Sequence, residues 1–235
     1  MEENNFINEE ELQNHQKSIP FEVMAKLTEL SKINICKIFC NEGEKGTGFF
    51  VNIPFYFSNT LKVLMTTNQV LNQSDILPGQ KIKFSINNDS KEYNILIDNN
   101  RKTYTHKINN YTFIEIKDDD NIDEKSFFNI DNRILQDNAK TIFTNYQIIL
   151  LHFPEGRQIE ISSGIINLIT EDDKTTILHT CNNNHSSLGG PIINIDNFQV
   201  IGIHTGGKGV NNYNLGTLLK EPIEKFNEVF KKKGK

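Results

Sequence analysis

The side chains able to do chemistry in this 235-residue sequence fall into a few local groups. His179, Cys181 and His185 form an H-x-C-x3-H cluster, and Cys36 and Cys40 form a C-x3-C pair. Zinc would require such nitrogen and sulfur ligands to converge in a tetrahedron. Ser186 and Ser187 are hydroxyls placed just before Leu188-Gly189-Gly190-Pro191, and His204 sits in the run G-I-H-T-G-G. Two glycine-rich stretches, Gly43 to Gly48 and Gly206 to Gly209, are not phosphate loops. The first leads into a β-like run and the second into a loop, and no Gly-Lys-Ser/Thr opens a helix after either.

The elements that must position these groups are mostly strands. Phe21, Val23, Met24, Leu27 and Leu30 recur at helical spacing after Ser18 and Pro20, which predicts a short amphipathic helix over 20–32. Strand-like runs follow at 33–40, 46–55, 61–67, 80–86, 92–98 and 111–117. A second set follows at 141–151, 157–169, 174–180, 190–195, 198–205 and 213–218. Asn87-Asn88-Asp89, Asn99-Asn100, Glu171-Asp172-Asp173 and Asp196-Asn197 read as turns. A final helix starts near Glu221-Pro222, with Ile223, Phe226, Val229 and Phe230 on one stripe. The expected organisation is a polar arm at 1–19, a helix and first set of strands at 20–120, a linker at 121–140, and a second set with the C-terminal helix at 141–235.

Composition excludes some functions. With 25 basic and 30 acidic residues the chain carries a net charge of −5, against the basic face that phosphate binding requires, so no nucleic-acid partner is expected. The run Lys231-Lys232-Lys233-Gly234-Lys235 reads as a solvated terminus. The acidic first residues lack an apolar signal region, no stretch is long enough to cross a bilayer, and three scattered cysteines do not make a disulfide framework. An intracellular, cytoplasmic chain with reduced thiols, without membrane insertion, is the expectation.

Three motifs in fixed order carry a resemblance: GTGFFVNIPF (46–55) with LMTTNQVL (64–71), NNYTFIEIK (109–117), and SSLGGPIINIDNFQVIGIHTGG (186–207). Over roughly 20–230 the chain resembles the trypsin-like serine peptidases, in particular the V8-like branch. The resemblance implies an all-β fold of two six-stranded antiparallel β-barrels, chymotrypsin-like, with short N- and C-terminal helices. It also places Gln69 where that family has its catalytic base, Asn110 at the orienting carboxylate and Leu188 at the nucleophile. An amide has no useful basicity, Asn110 lacks the charge that steadies an imidazolium, and a hydrocarbon cannot attack a carbonyl. Ser186 replaces the glycine of the oxyanion turn.

From these four positions the expectation is that the chain is not an enzyme but a serine-peptidase-like pseudoenzyme, a protein-interaction or structural subunit. Its partner would be a protein or peptide, with no cofactor and no metal. The cysteines read as buried and reduced, because Cys36 falls in the first barrel and the H-x-C-x3-H group in the second. In the resembled family a substrate pairs with the segment His204-Thr205-Gly206, so that segment and Ser187 are candidate peptide-cleft residues. His204 is either a half-buried strand histidine or the remnant of a pocket for acidic side chains. The alternative function is a residual or rewired endopeptidase using Ser187, a hydroxyl one residue before the nucleophile position.

Overall fold

In the first helix, α1 (Phe21–Ile33), Pro20 holds an extended conformation at the N-cap and the Asn34 N–H closes the last turn on the Leu30 carbonyl. Leu27 is buried, Val23 and Leu30 pack beside it, and Phe21 points away from the core at 82% exposure. The computed structural model describes residues 18–40, 45–56, 59–170, 176–182, 187–207 and 213–233. Residues 1–17 of the arm expected at 1–19, the turn at 171–173, His185 and Ser186 lie outside the described residues.

Eight strands form the first sheet: β1 (Ile35–Phe39), β2 (Lys45–Phe55), β3 (Asn59–Thr66), β4 (Lys81–Ile86), β5 (Lys91–Leu96), β6 (Thr103–His106), β7 (Tyr111–Glu115) and β8 (Phe128–Asn129). Their order is β5-β4-β1-β2-β3-β7-β6, antiparallel, with β8 running parallel to β2. The alternation of β2 explains its continuous apolar run. Phe49, Val51 and Ile53 face a core shared with the second half, while Phe50 faces a separate cluster with Ile38, Leu64, Phe84 and Ile114. Asn87, Asn88 and Asp89 all take left-handed φ values (51°, 52° and 68°) in the β4–β5 turn, where Asn and Asp are tolerated best.

The second sheet is a closed barrel, β10-β11-β14-β13-β12-β9. It comprises β9 (Gln147–His152), β10 (Glu160–Ile169), β11 (Thr176–His179), β12 (Pro191–Asn194), β13 (Val200–Gly206) and β14 (Asn214–Leu218). The architecture is therefore the expected all-β, chymotrypsin-like one, with one difference. Hydrogen bonding closes only the second half into a barrel, because β6 adds a seventh strand to the antiparallel row of the first and leaves β5 and β6 as edges. Arg101 bridges that opening. Its guanidinium donates to the Leu96 carbonyl (3.0 Å), to the Glu115 carbonyl (2.7 Å), and in a fork to the Asp120 carboxylate (2.6 and 2.9 Å).

Two further departures matter. The segment 121–140 is packed against both halves: Phe128 lies beside Val51, Ile130 bridges to Val200, and Ile134 is buried. Residues 141–151 are not one strand. A helical turn, α2 (Ala139–Phe143), buries Ala139 and Phe143, and Asn145 turns the chain with φ 62° before β9 begins. The last helix, α3 (Lys220–Lys233), crosses back to the first half. Phe226 packs on Phe55 and Phe113, and Asn227 bonds the Pro54 carbonyl and the Tyr56 N–H. No helix among the described residues is long and apolar enough to cross a membrane.

Candidate functional site

The turn after β3 carries Gln69, and a polar ladder seats it. The Asn68 amide donates to Thr105 Oγ1 (2.7 Å), Thr105 and Thr112 share a hydrogen bond (2.7 Å), and Thr112 Oγ1 donates to the Leu71 carbonyl (2.7 Å). Three neutral groups thus fix 68–71 on the β6–β7 hairpin, and each finds a partner as buried hydroxyls must. Strand β6, absent from the sequence-derived set, supplies the middle rung. Its T-Y-T-H run is half-buried throughout, so it gives little hydrophobic alternation, although Thr and Tyr are good strand formers.

Asn110 ends that hairpin's turn in a left-handed conformation (φ 51°). Its side-chain oxygen accepts from the Gln69 backbone N–H (3.1 Å), and its amide donates to the Thr205 carbonyl (3.1 Å). One carboxamide therefore joins the first half to the second. Neighbouring bonds reinforce the junction: Thr217 Oγ1 donates to the Asn109 carbonyl (3.0 Å), and the Asn109 amide donates to Glu221 (3.2 Å). Glu221, which carried no sequence signal beyond a helix start, also accepts from the Tyr111 hydroxyl (3.3 Å). Burial and the Glu221 charge push that phenol well above its usual range.

Leu188 is half-buried against the cluster of Cys36, Val70 and Ile114, and its carbonyl accepts from the Thr47 N–H (3.0 Å). Gly189 follows at φ 90°, and a Cβ there would lie 2.0 Å from the Thr47 carbonyl oxygen. Only glycine permits both that conformation and that approach. Ser187 is buried. Ser186 and His185 lie outside the described residues.

His204 continues the β12–β13 pairing: its N–H donates to the Gly190 carbonyl (2.8 Å), and its carbonyl accepts from the Gly189 N–H (2.9 Å). The ring is only 1% exposed and stands 3.1 Å from the His179 ring nitrogen. His152, also buried, bonds Ser162 (3.1 Å). Burial lowers His152 to about 4 and His179 to about 3. His204 falls well below its usual value, through burial and then the other two rings. A neutral, enclosed imidazole offers no positive charge to an acidic ligand near neutral pH. Cys181 and Cys36 are buried, and burial raises both thiols. Among the described residues no three His, Cys, Asp or Glu groups converge as metal ligands.

Thr205 and Gly206 are half-buried where β13 leaves Gly189, and beside Thr205 lies a groove of about 410 Å3. Asn68, Gln69 and the 107–110 turn form one wall of the groove. Thr176, Thr205 and Leu215 to Thr217 form the other. The structure thus brings Gln69, Asn110 and Thr205 together at one groove, and sends His204 and Ser187 into the interior.

No family model matches this sequence, and neither does any curated protein. Solved structures do. The chain is similar to the Rv3671c protease in an inactive form (TM-score 0.62, 15% identity, 91% of this chain and 97% of that one). It is similar to the serine endoprotease from Yersinia pestis (TM-score 0.61, 12% identity, 90% and 68%). A serine-to-alanine mutant of Rv3671c from M. tuberculosis H37Rv, also in an inactive form, matches at TM-score 0.58 with 15% identity over 91% and 94%.

These structures overturn one expectation. That the chain is not an enzyme does not stand, because the solved structures that share its fold are of serine proteases. Gln69, Asn110 and Leu188 exclude a proton relay of the Ser-His-Asp kind at those positions; they do not decide against activity as such. At 12–15% identity the fold carries over and individual roles do not. The chain has the chymotrypsin-like fold of the trypsin-like serine proteases.

Proposed function

We propose that this protein holds an extended polypeptide in the groove beside Gln69 and Asn110, and that it works as a protein-interaction subunit through that contact. The observation that carries this reading is the groove itself. It stays open at about 410 Å3 while the bonds beneath it, from Gln69 to Asn110, from Asn110 to Thr205 and from Thr217 to Asn109, hold its two walls together. A preformed site loses little conformational freedom on binding. Strand addition along 205–207 needs no proton relay, because main-chain hydrogen bonds supply the affinity. Amide hydrogen exchange with and without a panel of acetylated octapeptides tests it. Slowed exchange at 107–110, 205–207 and 215–217 is expected, and unchanged exchange at all three with every peptide refutes it.

A second reading, a residual or rewired serine endopeptidase, is favoured by the proteases that share the fold. It expects cleavage of an unfolded protein substrate and covalent fluorophosphonate labelling at Ser187. Intact substrate together with an unlabelled Ser187 would count against it.

A further inference from the structure

Among the described residues the groove is lined by carboxamides and hydroxyls, two apolar side chains, Ile108 and Leu215, and one ionic group, Lys107. Among the described residues no carboxylate lines it, although acidic residues outnumber basic ones in the chain, 30 to 25. Lys107 is exposed and makes no ion pair among the described residues. Glu221, behind this wall, is turned to Asn109 and Tyr111. Ile108, next to Lys107, is 89% exposed, the most exposed large apolar side chain among the described residues. A cation and an aliphatic side chain thus stand together at the tip of the β6–β7 turn, over a groove whose described lining holds no carboxylate.

We propose that Lys107 and Ile108 select the peptide: the groove takes an extended segment in which an acidic residue adjoins an apolar one. The carboxylate is received by Lys107, and the apolar neighbour lies against Ile108 and Leu215. This rests on the peptide-binding reading of the same groove. It assigns acid selection to an exposed cation at the rim and not to His204, which is enclosed and uncharged. Exposed charge pairs contribute modestly, so about a two- to fivefold preference is expected at physiological salt, shrinking as salt rises.

The test uses two amidated, acetylated octapeptides in a Ser/Thr background that differ only in Glu-Leu against Gln-Leu at the centre. Dissociation constants are measured by calorimetry with the full chain, Lys107→Gln, Lys107→Glu and Ile108→Ser. All three substitutions lie on an exposed turn, so the fold should survive them. Tighter binding of the Glu peptide, loss of the difference in Lys107→Gln and its inversion in Lys107→Glu, with weaker binding of both peptides to Ile108→Ser, are the expected results. Equal binding of both peptides, or a Glu preference that persists in Lys107→Glu, overturns this selection while leaving the groove as a peptide site. Binding of neither peptide overturns both readings. Lys107-dependent binding of single-stranded oligodeoxythymidine in their place, or self-association that buries the groove, overturns the choice of ligand.

Discussion

Acidification should destabilise this protein through the three enclosed histidines well before its carboxylates protonate. In the folded state His152 titrates at about 4, His179 at about 3, and His204 well below the ordinary 6.5. Unfolding releases all three to that ordinary value, so below it the unfolded chain binds protons that the folded chain refuses, and stability falls with pH. Their contribution is fully present above 6.5 and stops eroding only near the folded values. Between pH 7.5 and 5.5 each histidine should cost about 1.4 kcal/mol, roughly 4 kcal/mol for the three, against a typical total of about 5–15 kcal/mol. Asp131 does not contribute in that window. Burial alone would raise its carboxyl, but donors from Arg133, Asn194 and Asn197 outweigh this and hold it far lower. Urea denaturation across pH 5.5–7.5 measures the slope, and imidazole proton shifts of the folded protein identify the sites. Folded-state titration of His152, His179 or His204 near 6.5, or a loss under about 1 kcal/mol, would refute the reasoning.

Three sites probe the frame of the fold. Arg101→Met should cost about 3–5 kcal/mol by stranding Asp120 in the seam, and Arg101→Met with Asp120→Leu should regain much of it, as read by urea midpoints. Gly189→Ala should lower stability by more than about 3 kcal/mol, since its Cβ meets the Thr47 carbonyl at a φ that alanine resists; a wild-type melting temperature would contradict the close approach. Asn110→Asp keeps the acceptor for Gln69 but turns the donor to Thr205 into a repelling carboxylate oxygen. A loss of about 1–3 kcal/mol is expected at pH 7 by denaturant titration, and no loss would show that the Asn110–Thr205 bond does not join the halves.

Much of the frame was legible one segment at a time. Helical spacing gave a helix over 20–32 where Phe21–Ile33 forms, and period-two runs gave every long strand to within a few residues. What escaped was either short or ambiguous. The polar β6 carries almost no alternation, β8 has two residues, and the apolar stretch before β9 fits a helical turn as well as a strand. The motif order likewise brought Gln69 and Asn110 into one site, because the turns that carry them recur at fixed places along the chain. No such signal marked Lys107 and Ile108, whose importance comes from what faces them across the groove.

The amino-acid sequence by itself determined the strand periodicities and the chemical identities at 69, 110 and 188, which exclude a serine-type relay there. Each of these is a property of a residue or of its near neighbours. Only the tertiary structure decided the ionisation of His204 and the sign of the groove. Closure of the second barrel brings His152, His179 and His204 together from three strands and strips their water, and that lost solvation keeps them neutral. The β6–β7 turn of the first sheet leaves Lys107 exposed at the rim, so the cation proposed to receive an acidic ligand is one that the fold left in water.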